Sequence, residues 1–109
     1  MATLSFSRSL ETNIQIMEDR KFNAILEFAR DDSGEVDFTG DTILMEIWDK
    51  NGGTLQDTLT SVDSEDITIA TDTLSFDVTF TDLEVKAYYF ELFNDTDKIG
   101  IMHGKLIVI

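Results

Sequence analysis

Thr73-Leu74-Ser75-Phe76-Asp77-Val78-Thr79-Phe80 is the stretch that decides the fold. Successive side chains of an extended chain point to opposite sides, so Leu74, Phe76, Val78 and Phe80 share one face. Thr73, Ser75, Asp77 and Thr79 share the other. That is a half-buried strand. Upstream the same period recurs over residues 21–30, where Phe22, Ala24, Leu26 and Phe28 oppose Asn23, Ile25, Glu27 and Ala29. Over residues 42–49, Ile43, Met45 and Ile47 oppose Leu44, Glu46 and Trp48.

Turn chemistry falls between these runs. Asp31-Asp32-Ser33-Gly34-Glu35, Asp49-Lys50-Asn51-Gly52-Gly53 and Asn94-Asp95-Thr96-Asp97-Lys98 each separate two of them. Asn-Gly supplies the positive φ angles of a tight hairpin. Strands are predicted near residues 3–7, 12–18, 21–30, 42–49, 54–60, 67–70, 73–80, 87–93 and 99–109. A short connection is expected at 18–21 and one helical turn at 81–86. About seven to nine short strands at this spacing predict an all-β chain, an antiparallel β-sandwich forming a single domain over residues 1–109.

Composition agrees with a packed domain. Hydrophobic residues make up 42% of the 109, with eight Phe, which is incompatible with disorder. There is no Cys, so disulfides and thiolate metal sites are excluded. There is no Pro, so every residue can donate to a ladder. The net charge of −14 repels phosphate backbones and anionic lipids, and neither nucleic acid nor membrane is an expected partner. Such acidity serves solubility first and steering towards a basic partner second. The N-terminal residues lack a basic leader followed by an apolar run, and no apolar stretch approaches the length of a membrane helix. The chain is expected to be made in a cytoplasm.

Candidate chemistry is sparse. His103 is the one histidine, and no Gly-x-Ser-x-Gly turn accompanies it, so no catalytic residue and no enzyme activity are assigned. Asp95-Thr96-Asp97-Lys98-Ile99-Gly100 begins like a calcium loop, but Ile99 occupies the third oxygen-ligand position. Asp49-Lys50-Asn51-Gly52-Gly53 fails likewise, with Gly53 at the third ligand position and Thr60 where a bidentate Glu belongs. Asp63-Ser64-Glu65-Asp66 has charge without ligand spacing. These read as hydrated loops, with no metal and no cofactor.

The informative feature is an imbalance between faces. Unpaired charge is costly to bury, so Glu46, Glu91, His103 and Lys105 mark the outward sides of their strands. Alternation then puts Leu44, Trp48, Tyr89, Phe93 and Ile101 on the same outer surface if those strands share one sheet, as they do in an immunoglobulin-like arrangement. A contiguous apolar set of this kind marks an interface with another protein or another copy. The competing expectation is that the N-terminal segment, residues 3–7, folds back over it.

With the strands placed, the order of motifs over residues 14–109 resembles small immunoglobulin-like domains of tailed-bacteriophage virion proteins, among them baseplate, tail and head-associated components. Glu18-Asp19-Arg20-Lys21-Phe22 with the alternation after it is similar to that family's opening acidic turn and strand. Asp37-Phe38-Thr39-Gly40 resembles its Asp-Leu-Thr-Gly corner, followed by a strand such as 43–48 and a turn like 49–53. Ile67-Thr68-Ile69 and residues 74–80 resemble its paired later strands, and Thr81-Asp82-Leu83 its short link. Tyr88-Tyr89-Phe90-Glu91-Leu92 resembles its Tyr-x-Tyr-Asp-Leu strand, and Gly104-Lys105-Leu106-Ile107-Val108 its terminal Gly-x-Leu-x-Val strand. Where the family often has a Pro-Gly turn, this chain has Glu84-Val85-Lys86-Ala87.

The resemblance implies a non-enzymatic virion part whose partners are other capsid or tail proteins and copies of itself. The chain ends on its last strand, so a freestanding module is expected. A capsid-associated auxiliary or decoration role comes first and a tail or baseplate part second. Two readings from other classes stand beside it. One is a host-surface or glycan-binding module using Trp48 and the tyrosines as stacking platforms. The other is a small regulator whose acidity imitates nucleic acid.

Overall fold

The computed structural model describes residues 2–5, 10–17, 21–29, 36–80 and 83–109. The predicted turn at 31–35 and most of the connection at 18–21 lie outside them. The described residues form ten strands and one 3₁₀ turn: β1 (Ala2–Ser5), β2 (Leu10–Glu11), β3 (Ile14–Ile16), β4 (Lys21–Ala29), β5 (Ile43–Trp48), β6 (Leu55–Thr60), the turn Val62–Ser64, β7 (Ile67–Ala70), β8 (Thr73–Thr79), β9 (Ala87–Asn94) and β10 (Ile99–Val108). They make two sheets. One has the order β1-β4-β8-β7; the other runs β2-β10-β9-β5-β6, with β3 also on β10. The molecule is all-β, a sandwich.

Alternation explains how the sheets close on each other. From the four-stranded sheet, Phe22, Phe28, Ile67, Leu74 and Phe76 are buried; from the other, Ile43, Met45, Ile47, Leu59, Tyr88, Phe90, Leu92, Leu106 and Val108. Each large apolar side chain so covered contributes about 1.5–3 kcal/mol relative to exposure. Phe22 lies 5.1 Å from Phe76 and 6.3 Å from Phe80 between ring centroids, and Phe28 meets Phe38 edge-on at 5.8 Å. No buried side-chain polar atom lacks a hydrogen-bond partner among the described residues.

The sequence predicts an antiparallel sandwich, and most pairs are antiparallel, but the N-terminal strands are not. β1 runs parallel to β4, and β2 and β3 run parallel to β10. Parallel neighbours need a long connection, and the whole sandwich separates β3 from β10. The strand predicted at 12–18 is shorter, at 14–16, and a further two-residue strand, β2, precedes it at 10–11. Gly104 sits at φ +154, and a Cβ there would run into the carbonyl oxygen of Thr12. Around that contact Thr12 donates its N–H to the His103 carbonyl at 2.9 Å, and the Lys105 N–H donates to Asn13 Oδ1 at 3.2 Å.

The helical turn predicted at 81–86 is absent from the described residues 83–86. Leu83 is buried, and the Glu84 N–H donates to the buried Tyr88 hydroxyl at 2.8 Å, pinning the link against the start of β9. The Lys86 ammonium lies 4.8 Å from the centre of the same ring. The hairpin at 49–54 forms as expected, although only Gly52 takes a positive φ, +80; Asp49 Oδ1 accepts from the Thr54 N–H at 2.7 Å.

β6 is a sheet edge with a self-made cover. Peptide groups of alternate residues point away from β5, and Thr58 and Thr60 are two of these. The Thr58 N–H donates to Asp57 Oδ1 at 2.8 Å and the Thr60 N–H to Asp66 Oδ2 at 3.0 Å. The Thr60 carbonyl accepts from the Asp66 N–H at 3.0 Å.

Candidate functional site

The outer face of the six-stranded sheet is where the predicted interface residues lie, with one correction. Pairing sets Leu44 beside Phe93, Glu46 beside Glu91, and Trp48 beside Tyr89. On the other side of β9, Glu91 pairs with His103 and Tyr89 with Lys105. Leu44, Trp48, Tyr89 and Phe93 are half-buried, so each presents an apolar flank to solvent. They form two columns on adjacent strands, divided by the two glutamates. Residues 3–5 of the N-terminal segment do not cover them, because β1 pairs with β4 in the opposite sheet; residues 6–7 lie outside the described residues.

Ile101 is not on this face. It is 1% exposed and belongs to the core. The register between β9 and β10 shifts between Gly100 and Met102, so Ile101 is the extra residue of a β-bulge. The bulge turns Ile101 and Met102 inward together, and the alternation that leads back from His103 to Ile101 is broken there. A signal for this was present: Gly100-Ile101-Met102-His103-Gly104 sets two large apolar residues side by side between glycines, which a period of two does not do.

The bulge also shapes the surface. Gly100 stands opposite Phe93 and offers no side chain, which opens a hollow of about 310 Å³ lined by Tyr89, Glu91, Phe93, Gly100 and His103. A second hollow, of about 190 Å³, lies between Trp48 and Tyr89, with Asn51, Gly52 and Glu91 on its walls. Tyr89 and Glu91 form the ridge common to both.

Across the middle runs a row of ionisable groups, Glu11, His103, Glu91 and Glu46, each beside the next; sequence reasoning used the last three only to mark the outward side and passed over Glu11. His103 Nε2 lies 3.9 Å from Glu11 Oε2. The Tyr89 hydroxyl donates to Glu91 Oε1 at 3.1 Å. The phenol is held above its usual pKa first by desolvation, then by that hydrogen bond, then by the negative charges of Glu91 and Glu11. Each favours the protonated phenol. No register between strands is readable in one sequence, so this row was not.

Elsewhere the acidic turns are organised by their own hydrogen bonds. Buried Asn94 donates through Nδ2 to Asp41 Oδ2 at 2.9 Å and accepts at Oδ1 from the Thr96 and Asp97 N–H groups at 3.0 and 3.1 Å. At residues 37–40, Asp37 Oδ1 accepts from the Thr39 N–H at 2.9 Å, and Gly40 takes φ +83. Hydrogen bonds from Thr39 hold the Asp37 carboxyl below its ordinary pKa. Among the described residues no three His, Cys, Asp or Glu side chains group as metal ligands do. Among the described residues no helix is long and apolar enough to cross a membrane.

No known protein family, characterised protein or solved structure matches this chain.

Proposed function

We propose that this chain is a non-enzymatic module that acts by protein–protein contact, docking through the outer face of β10, β9 and β5. The observation that carries this is the set Leu44 with Phe93 and Trp48 with Tyr89, on either side of Glu46 and Glu91 and beside two hollows, on a sheet whose inner side is packed. Aromatic residues with a polar handle are enriched at protein interfaces. Nothing in the packing of the core requires these four rings and chains to face outward.

The partner, on this reading, is another component of a tailed-bacteriophage particle. The chain serves as a capsid-associated auxiliary or decoration protein ahead of a tail or baseplate part. Support comes from the ordered motifs over residues 14–109 and from the β-sandwich, which we read as immunoglobulin-like. What supports that type is the strand orders β1-β4-β8-β7 and β2-β10-β9-β5-β6, together with the Tyr88 hydroxyl bonded back to Glu84 as in a tyrosine corner. The parallel β1 departs from it. Repeated attachment of many copies to a symmetric shell would turn modest contacts into a stable assembly.

The test is co-purification with intact particles, with copies counted per particle. Trp48→Ser and Phe93→Ser should keep the far-ultraviolet spectrum and a cooperative melt while reducing particle occupancy at least tenfold. Full occupancy by both variants would refute the docking face. A glycan-binding reading is favoured by one observation, the hollow between Trp48 and Tyr89 with Asn51 and Glu91 on its walls. Saturable binding on a glycan array, lost in Trp48→Ser, would establish it instead.

A further inference from the structure

The docking face carries an electrostatic fault that a partner can repair. Glu46 and Glu91 are direct neighbours on β5 and β9. Side chains so placed have Cβ atoms about 4.5–5.5 Å apart, and like charges in that position destabilise a sheet. No lysine among the described residues ion-pairs with either carboxylate, and the lysine ion pairs that do form there, Lys21 with Asp77 and Lys98 with Asp95, lie elsewhere. Lys105, one row away beside Tyr89, does not close on them. His103 flanks the pair only on the Glu91 side, with Glu11 beyond it.

The surroundings select what would fill the gap. Trp48 and Tyr89 stand next to each other one row along, so a cation between the carboxylates also meets aromatic faces. Two carboxylates side by side offer more acceptors than one ammonium can use. A guanidinium has five donors in a planar fork and stacks on aromatic rings. Resting on the docking face proposed above, we infer that the partner inserts an arginine side chain between Glu46 and Glu91, against Trp48 and Tyr89.

The same charges argue against a second copy as the occupant. A two-fold contact would bring this face against itself, carboxylate row against carboxylate row, between chains of net charge −14 each. An anionic lipid surface is opposed in the same way. The occupant is a protein with an exposed basic surface.

The experiment has three parts. First, Glu46→Gln in the isolated chain should raise the melting temperature by about 2–5 °C, the size expected for relieving one like-charge pair in a domain of this length. An unchanged or lowered value would overturn the premise. Second, the peptide acetyl-Gly-Arg-Arg-Gly-amide, titrated into labelled protein, should shift the backbone amides of Glu46, Trp48, Tyr89 and Glu91. Its citrulline analogue should not, and the lysine analogue should bind more weakly. Glu46→Gln with Glu91→Gln should weaken the arginine peptide at least tenfold. Asp63→Asn with Glu65→Gln removes the same charge from an exposed turn and should change it less than twofold. Equal weakening in both pairs means diffuse attraction and refutes the site.

Third, particle occupancy separates this inference from the reading it rests on. Trp48→Ser lost and Glu46→Gln/Glu91→Gln retained would leave the docking face standing and refute the arginine. Retention by both would refute the two together. Loss by both supports the inference.

Discussion

The two sheets show solvent opposite characters. On the four-stranded sheet the described outward side chains are Lys21, Asn23, Ile25 and Glu27 from β4, Thr73, Ser75, Asp77 and Thr79 from β8, and Thr68 and Ala70 from β7. Ile25 is the one large apolar residue among them, and Lys21 pairs with Asp77 at 3.3 Å. On the six-stranded sheet Leu44, Trp48, Tyr89 and Phe93 face out, and like charges sit together at Glu46 and Glu91. Inward, both sheets are equally apolar, so folding does not account for the difference. The polar-out rule is kept on one sheet and relaxed on the other, as the proposed docking face requires.

The largest effect should come from confusing the two sides of β10. Ile101→Lys puts a charge in the core and should cost at least about 4 kcal/mol, enough to abolish cooperative unfolding in urea. Ile25→Lys, on the polar face, should stay within about 0.5 kcal/mol of the parent. If Ile101→Lys folds normally, the bulge is wrong and the contrast between the faces must be redrawn.

Next comes the turn that ends the six-stranded face. Asn94→Leu keeps the volume but leaves the Thr96 and Asp97 N–H groups without their acceptor. It should cost about 2–3 kcal/mol by urea midpoint, since several bonds depend on one buried amide.

The smallest effect reads the face itself. Tyr89 should ionise above the ordinary phenol range, followed through its ring carbon resonance. Glu91→Gln removes the hydrogen-bonding carboxylate and its charge but not the desolvation, so the midpoint should fall part of the way back. A folded-state pKa raised in this way gives stability that is complete below the ordinary phenol value. It is lost as pH climbs through the raised one. The alkaline loss of stability carried by Tyr89 should therefore be smaller in Glu91→Gln and complete at a lower pH. An unmoved Tyr89 midpoint would detach the phenol from the carboxylate row.

Much of this was legible in the residues because alternation is a local signal. Phe22 to Phe28 and Leu74 to Phe80 declare their inward faces without reference to any partner strand, and Leu44, Trp48, Tyr89 and Phe93 follow from Glu46 and Glu91 by the same rule. Ile101 was misread for that very reason. A bulge is a property of two strands, and counting by twos along one of them passes straight through it. The pairing of Glu46 with Glu91, the parallel course of β1, and the close approach of Thr12 to Gly104 are likewise relations between distant segments. No single stretch of chain contains them.

The covered margin at β6 bears on how the molecule behaves in a crowd. Exposed strand borders are where folded β-proteins zip into ribbons, since a passing chain finds a row of hungry amides. Here Asp57 and Asp66 answer those amides from within, and their charge turns away a like neighbour. Laddering through this rim is therefore blocked, and a docking face of the kind proposed would have to lie on the flat of the sheet instead.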